Sequence, residues 1–118
     1  MNTPEIHSHL DALAALPGIS ACALADPETG MVLFMSGGHE HMEPLVETAT
    51  DYWRLYTRLQ NHFDKLGPLQ TCAMIHANGM LTLAPCGTTM IMVTITHRMQ
   101  IDWKAWQEKV TQIASLMV

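Results

Sequence analysis

The sequence predicts an α/β protein in which a five-stranded antiparallel sheet lies between layers of helices. Three observations indicate this fold class. Apolar spacing and breaker residues divide the chain into segments in the order α-β-β-α-β-β-β-α. The strands of the second half are apolar on both faces, so both faces of the sheet need a cover. Helices precede, interrupt and follow the strands, so the middle helix can cover one face and the terminal helices the other.

Composition limits the classes of protein and partner. The length of 118 residues fits a single domain, residues 1–118, with its own core. Hydrophobic residues make up 48% of the chain and charged residues 14%, which argues against disorder and favours a chain that covers surface in an oligomer. The formal net charge is −5 and the six Lys and Arg residues are scattered, so neither nucleic acid nor an anionic membrane is an expected partner.

The N-terminus and the cysteines predict a cytoplasmic protein. Met1–Glu5 lacks the basic and apolar regions of a signal peptide. No apolar run approaches the ~18 residues of a membrane span, so membrane insertion is not expected. The three cysteines, Cys22, Cys72 and Cys86, form no CxxC pair, and we expect them to be reduced.

Capping and breaker residues define the first helix and the first hairpin. Thr3 can cap a helix that Pro17-Gly18 ends. The strands Ile19–Ala25 and Met31–Met35 then flank Asp26–Gly30, whose Asp, Pro and Gly occupy the positions that a tight turn requires. The buried face of the first helix is expected at Ile6, Leu10, Leu13 and Leu16.

The central helix, predicted over Met42–Leu66, has an apolar stripe wider than one contact needs. Its apolar side covers roughly 180° of the helix, whereas a surface helix on one core needs about 100°. We therefore predict that one sector covers the sheet and that the rest meets a second copy of the chain. The stripe consists of Met42, Leu45, Ala49, Tyr52, Tyr56, Leu59, Phe63 and Leu66, widened by Val46, Trp53 and Leu55.

The second half of the chain predicts three strands and a final helix. Strands Leu69–Ala77 and Met80–Pro85 flank Asn78-Gly79, a strong two-residue hairpin signal. A turn at those two residues would place Met74 opposite Leu83.

The same register would put Cys72 and Cys86 on opposite faces, which argues against a disulfide between them. Thr89–Thr96 is the last predicted strand, and Asp102 can cap a terminal helix. The apolar face of that helix is expected at Trp103, Trp106, Val110, Ile113 and Met117.

The sequence contains no arrangement of residues that indicates catalysis, a cofactor or a closed metal site. His39-Glu40-His41 could chelate a transition metal, but no third ligand is placed beside it. His76 and His97 fall near strand ends, where rim histidines are common. The cysteines lie in or beside apolar strands, where a thiol is usually inert. Gly37-Gly38 lacks the residues of a phosphate-binding loop.

Two runs of residues carry a resemblance to a known family. The first is Leu10-x-x-Leu13-x-x-Leu16-Pro17-Gly18-Ile19, continued by Gly30-Met31-Val32-Leu33. The second is Met74-Ile75-His76-x-x-x-Gly79-Met80-Leu81-Thr82-Leu83, followed by a strand and a terminal helix. In motifs, element order and length, the chain resembles a roadblock / dynein-light-chain domain of the bacterial type.

The resemblance implies a profilin-like α/β/α sandwich with strand order 2-1-5-4-3. It also implies a homodimer formed by the central helix and the third strand, whose edges pair across the two subunits. Family members generally act as adaptors or regulators rather than enzymes, and in bacteria often act beside a small Ras-like GTPase. No catalytic or nucleotide motif defines that role, so the resemblance assigns no residue to contact with such a partner.

The expected function is that of a non-enzymatic, homodimeric adaptor or regulator, acting by scaffolding or by modulating a small GTPase. The alternatives are a small-molecule or metal-sensing domain, and a small enzyme with a Cys nucleophile. The residues predicted for the dimer interface are Tyr52, Trp53, Tyr56 and Leu59 on the helix, and Thr71, Ala73 and Ile75 on the strand.

Overall fold

The helices and strands follow the predicted order. A computed structural model of the chain describes residues 3–38, 42–97 and 100–117. The elements are α1 (Thr3–Ala14), β1 (Ile19–Ala25), β2 (Val32–Gly37), α2 (Met42–Leu59), a 3₁₀ helix (Gln60–Leu66), β3 (Cys72–His76), β4 (Gly79–Cys86), β5 (Met90–Thr96) and α3 (Trp103–Ser115). Among the described residues, no helix is both long and apolar enough to cross a membrane.

The five strands form one antiparallel sheet in the order β2-β1-β5-β4-β3, which confirms the predicted topology. The last strand, β5, is therefore central, and the two edges are β2 and β3. An edge strand has one row of backbone N–H and C=O groups without a partner in the sheet.

Each face of the sheet has its own apolar core, as the two-sided apolar strands predict. The terminal helices cover one face with Ile6, Leu10, Leu13, Trp106, Val110 and Ile113, packed on strand residues that include Cys22, Leu24, Ala84, Cys86 and Met92. The central helix covers the other face with Met42, Val46 and Ala49, packed on Ala21, Ala23, Ala25, Leu83, Ile91, Val93 and Ile95.

The prediction of one continuous helix over Met42–Leu66 is wrong in its last two turns. The α-helix ends at Leu59 and the chain continues as a 3₁₀ helix, in which no residue is buried. Without a core to pack on, the tighter geometry that is common at helix ends replaces the α-helix there. Gly67, with φ of 81°, then ends the segment, and its N–H donates to the Asp64 carbonyl.

The register predicted for the β3–β4 hairpin is wrong by two residues. The turn lies at Ala77-Asn78, and Met74 is paired with Leu81 rather than Leu83. Gly79 belongs to β4, where it lies against the backbone of β5 and a Cβ atom would approach the Thr96 carbonyl oxygen to 2.6 Å. The glycine therefore serves a close approach between strands rather than a turn.

A shift of two residues leaves each side chain on its predicted face, because side chains alternate with a period of two. Cys72 packs with the core under α2, and Cys86 lies in the core under the terminal helices. All three cysteines are free, as predicted.

Other boundaries differ at the ends of elements. The first helix ends at Ala14, before the predicted stop. Strand β2 runs to Gly37, two residues past the predicted end, because Gly37 approaches β1 so closely that a Cβ atom would lie 2.4 Å from the Ser20 carbonyl oxygen. The loop from Asp26 to Gly30 forms as predicted: the Gly30 N–H donates to the Asp26 carbonyl, and Gly30 has φ of 78°. Asp102 caps α3 by accepting from the Ala105 N–H at 3.1 Å.

Candidate interaction surface

Most of the large apolar side chains that remain exposed in the described residues lie on α2 and the 3₁₀ helix. Five of them lie on α2 and the 3₁₀ helix, and we call this group the helix strip: Tyr52, Leu55, Leu59, Phe63 and Leu66. The other three lie at the two edges of the sheet: Ile75 on β3, Met35 on β2 and Met31 just before β2. Contiguous exposed apolar surface of this kind is typical of a protein–protein interface.

The helix strip exists because α2 has two apolar sectors. Val46, Ala49 and the half-buried Trp53 face the sheet and pack in the core. At 100° per residue, Tyr52 and Leu59 lie about 100° further round the helix, where the sheet does not reach them. This division explains the wide stripe in the sequence: one sector covers the sheet, as predicted, and the other faces solvent in the single chain.

Aromatic contacts connect the two sectors. The Tyr56 ring stacks on the Phe63 ring with centroids 6.0 Å apart and planes 18° apart. The Trp53 ring lies at 6.0 Å from the Tyr56 ring on its other flank. The row therefore runs from the core out to the 3₁₀ helix, and it holds Tyr56 and Phe63 in place at the surface.

The predicted helix residues differ in exposure. Tyr52 is 52% exposed and Leu59 is similarly open, so both present apolar surface to solvent. Tyr56 is half-buried, and Trp53 packs partly against the core. Leu55, Phe63 and Leu66 belong to the same helical stripe and are also exposed, but they are not among the predicted interface residues.

The predicted strand residues lie at the open edge of the sheet. Ala73 and Ile75 are on β3 with their side chains exposed, and Ile75 is 66% exposed. Thr71, also exposed, directly precedes the strand. No charged residue occurs from Leu69 to Ile75, so the edge lacks the charges that commonly prevent pairing with another strand.

A groove lies between α2, the 3₁₀ helix and the segment that precedes β3. It has a volume of about 470 Å³ and is lined by Trp53 and Tyr56 of α2, by Asp64 of the 3₁₀ helix, and by Leu69 and Pro85 on the sheet side. Of the predicted interface residues, Trp53 and Tyr56 line this groove, whereas Ala73 and Ile75 lie on the face of the sheet opposite α2.

The polar side of α2 is distinct from the strip. Arg54 pairs with Asp51 at 3.1 Å and donates to the Thr50 hydroxyl at 3.1 Å. Both charged side chains are substantially exposed, so the ion pair contributes little to stability. Its effect is to make this side of the helix polar and hydrated, which limits the apolar surface to one sector.

Neither metal nor nucleophile chemistry has support in the described part of the chain. No group of three His, Cys, Asp or Glu residues there could hold a metal ion. His39, Glu40 and His41, the candidate chelating loop, lie outside the described residues. His76 and His97 line a shallow groove of about 300 Å³, and the His97 Nδ1 atom lies 2.9 Å from the Ser20 hydroxyl.

The two buried thiols are poor nucleophiles. Burial, with a smaller effect from the Asp11 carboxylate, raises the pKa of Cys22 to about 12. Burial also raises the pKa of Cys86 to about 12. Since the thiolate is the reactive form, both groups are inert near neutral pH.

Comparison with solved structures identifies the fold. A Roadblock/LC7 domain from Streptomyces avermitilis superposes with a TM-score of 0.74 at 14% identity, covering 97% of each chain. The chain has the Roadblock/LC7 fold. MglB from Myxococcus xanthus gives a TM-score of 0.77 at 12% identity, covering 99% of this chain and 94% of that one. An MglB with a tetrameric arrangement gives 0.76 at 13% identity, covering 97% and 85%.

These similarities confirm the resemblance at the level of the fold. No protein-family model matches the sequence, and no curated protein matches it. At 12–14% identity, the roadblock fold is shared while most side chains differ. Evidence for function must therefore come from this chain's own surfaces.

Proposed function

We propose that this protein is a homodimeric, non-enzymatic adaptor or regulator that acts in the cytoplasm. The observation that supports the proposal is the combination of the helix strip with the uncharged edge of β3. An open edge and an apolar helix face offer a second copy both backbone hydrogen bonds and apolar contact.

A two-fold axis beside β3 would satisfy both surfaces at once. Antiparallel pairing of β3 with its copy joins two five-stranded sheets into one, and the strips then lie on the same side of the joined sheet. Because an isologous interface repeats every contact, each strip residue contributes twice. The free thiols also fit a reducing compartment.

Self-association is tested by light scattering coupled to size-exclusion chromatography, at several concentrations of the full chain. One chain has a mass of 13.1 kDa, and at micromolar concentration we expect a measured mass of twice that value. A mass equal to one chain over the whole range would refute the homodimer.

The proposed partner is a small Ras-like GTPase, whose nucleotide state the dimer would bias by binding its switch region. The support is the roadblock fold, together with the family resemblance of the sequence. The dimer need not supply a catalytic group, because binding one conformation of the switch region more tightly shifts its population.

This part of the proposal is tested with a GTPase encoded beside the protein's gene or recovered with the protein. Nucleotide release and hydrolysis by the GTPase are measured with and without a molar excess of the dimer. We expect at least one rate to change several-fold. Unchanged rates and no complex would exclude a GTPase regulator and leave a scaffold, which the light-scattering result tests separately.

A further inference from the structure

We propose that a groove between α3 and β3 binds an uncharged, planar aromatic small molecule that carries a hydroxyl or carbonyl group. The groove has a volume of about 430 Å³ and lies on the face of the sheet opposite α2. Ala73 and Ile75 form one wall, and Trp103 and Gln107 form the other. The groove lies on the other side of the sheet from the helix strip. Ala73 and Ile75 also belong to the edge that pairs in the proposed dimer, but that pairing uses the backbone groups of β3, whereas the groove is formed by the side chains on one face.

The groove arises because α3 does not extend over the edge strand. Its buried residues pack in the core over β4 and its neighbours, while β3 at the edge is left uncovered. The register pairs Ala73 with Thr82 and Ile75 with Met80, so all four side chains share one face. The buried Met80 and Thr82 form the floor, beside two exposed residues of the edge strand.

The floor contains a hydroxyl without a partner. Thr82 is 1% exposed, and its Oγ1 atom has no hydrogen-bond partner among the described residues. Thr94, which is paired with Thr82 on β5, does have a hydrogen-bond partner, since its Oγ1 accepts from the Trp106 indole N–H at 3.0 Å. An unpaired buried hydroxyl costs on the order of 1–3 kcal/mol. A ligand group that pairs with Thr82 would recover part of that free energy.

The Thr82 oxygen lies below the floor's surface in the unliganded protein. A rotation of χ1 by one staggered step moves the hydroxyl around the Cβ atom while the backbone stays in place. Such a rotation is the adjustment that direct contact with a ligand requires. The rotation moves the hydroxyl from a place without a hydrogen-bond partner to one where the ligand is the partner, so the hydroxyl gives up no hydrogen bond.

The lining determines the class of ligand. Among the residues that the structure describes, no charged side chain lines the groove, so a charged ligand would lose hydration without gaining an ion pair from them. Trp103 and Trp106 meet edge to face, with centroids 5.3 Å apart and planes at 83°. A flat aromatic ring matches these indoles better than an aliphatic chain does. The Gln107 amide at the rim supplies a second polar contact.

The test is an NMR titration of the ¹⁵N-labelled full chain with 2-naphthol, a planar probe with one hydroxyl. We expect saturable shifts of the Trp103 and Trp106 indole N–H signals and of the Ala73 and Ile75 amides. The Trp53 indole, on α2 at the opposite face of the sheet, is the internal reference and should not shift. For a ligand of this size we expect a Kd of about 1 mM or tighter.

Two variants test the site. Thr82→Val removes the hydroxyl and should weaken 2-naphthol binding about tenfold, with no loss of melting temperature. Ala73→Phe fills the groove from an exposed position and should abolish binding. Ala77→Phe adds the same ring in the adjacent turn, where it should leave binding unchanged.

Several results would overturn the proposal. They are the absence of saturable shifts, equal shifts at Trp53, and binding retained by folded Ala73→Phe protein. Equal affinity of the wild type and the Thr82→Val protein would refute the assigned hydrogen bond, and with it the ligand class.

Discussion

The Tyr56→Asp substitution tests the predicted helix interface beside the helix strip. Tyr56 stacks on Phe63 at 6.0 Å and lies beside Trp53, so its ring is held where the strip meets the groove. In the proposed dimer, the ring leaves water and contacts the second copy. An aspartate at this position removes the ring and introduces a charge that water can no longer hydrate.

The magnitude follows from burial of the ring. Fully burying one large apolar side chain is worth about 2 kcal/mol, and Tyr56 is already half-buried in the single chain, so about 1 kcal/mol per copy, or about 2 kcal/mol for the dimer, depends on the interface. Since about 1.4 kcal/mol is a tenfold change in Kd, loss of the ring alone should raise the dimer Kd about 30-fold. The desolvated carboxylate adds to this cost.

The assay is sedimentation equilibrium of the wild type and the variant, with circular dichroism to show that each is folded. Thr57→Asp is the matched control: it introduces the same charge at the next, exposed position on the polar side of α2. We expect monomeric Tyr56→Asp protein and dimeric Thr57→Asp protein. Equal dissociation constants for the two folded variants would show that the strip is not the interface.

Three further predictions concern stability. Gly79→Ala should lower the free energy of unfolding by about 1–3 kcal/mol, because the added methyl group would lie 2.6 Å from a backbone oxygen of β5. Gly38→Ala, which meets nothing within 4 Å, is the control in denaturant titrations. Asp102→Ala should cost about 1 kcal/mol in the same assay by removing the cap of α3, and an unchanged midpoint would contradict the cap. Cys22 and Cys86 should resist alkylation at pH 8 until the protein unfolds. Burial raises the pKa of each thiol from 9.0 to about 12, so as the pH rises the unfolded chain loses these protons before the folded chain does. Between pH 9.0 and about 12, the free energy of unfolding should therefore fall by up to about 1.4 kcal/mol per pH unit for each thiol.

Local chemistry explains why several elements could be predicted closely. Strand β1 has its predicted bounds because breakers flank an apolar run on both sides. The Asp26 turn forms because its carboxylate accepts the Glu28 N–H at 2.9 Å and Gly30 takes a positive φ. The two faces of β3 and β4 were predicted correctly despite the wrong register, because alternation survives a shift of two residues.

The predictions that failed concern contacts between distant parts of the chain. Asn78-Gly79 is a favourable turn sequence, but Gly79 lies in β4 because β5 approaches it closely. The helical spacing continues to Leu66, but the α-helix ends at Leu59, where it leaves the core. In both cases packing against another element overrode a local preference.

The sequence by itself determined the order of the elements, the apolar character of both sheet faces and the excess width of the α2 stripe, because these depend on residue type and short-range spacing. Only the tertiary structure decided that Trp53 turns toward the core while Tyr52 and Leu59 face solvent. It also placed Thr82, without a hydrogen-bond partner, beneath a groove beside α3. Such features depend on where separate elements come to lie in space, which the spacing of residues within one element does not specify.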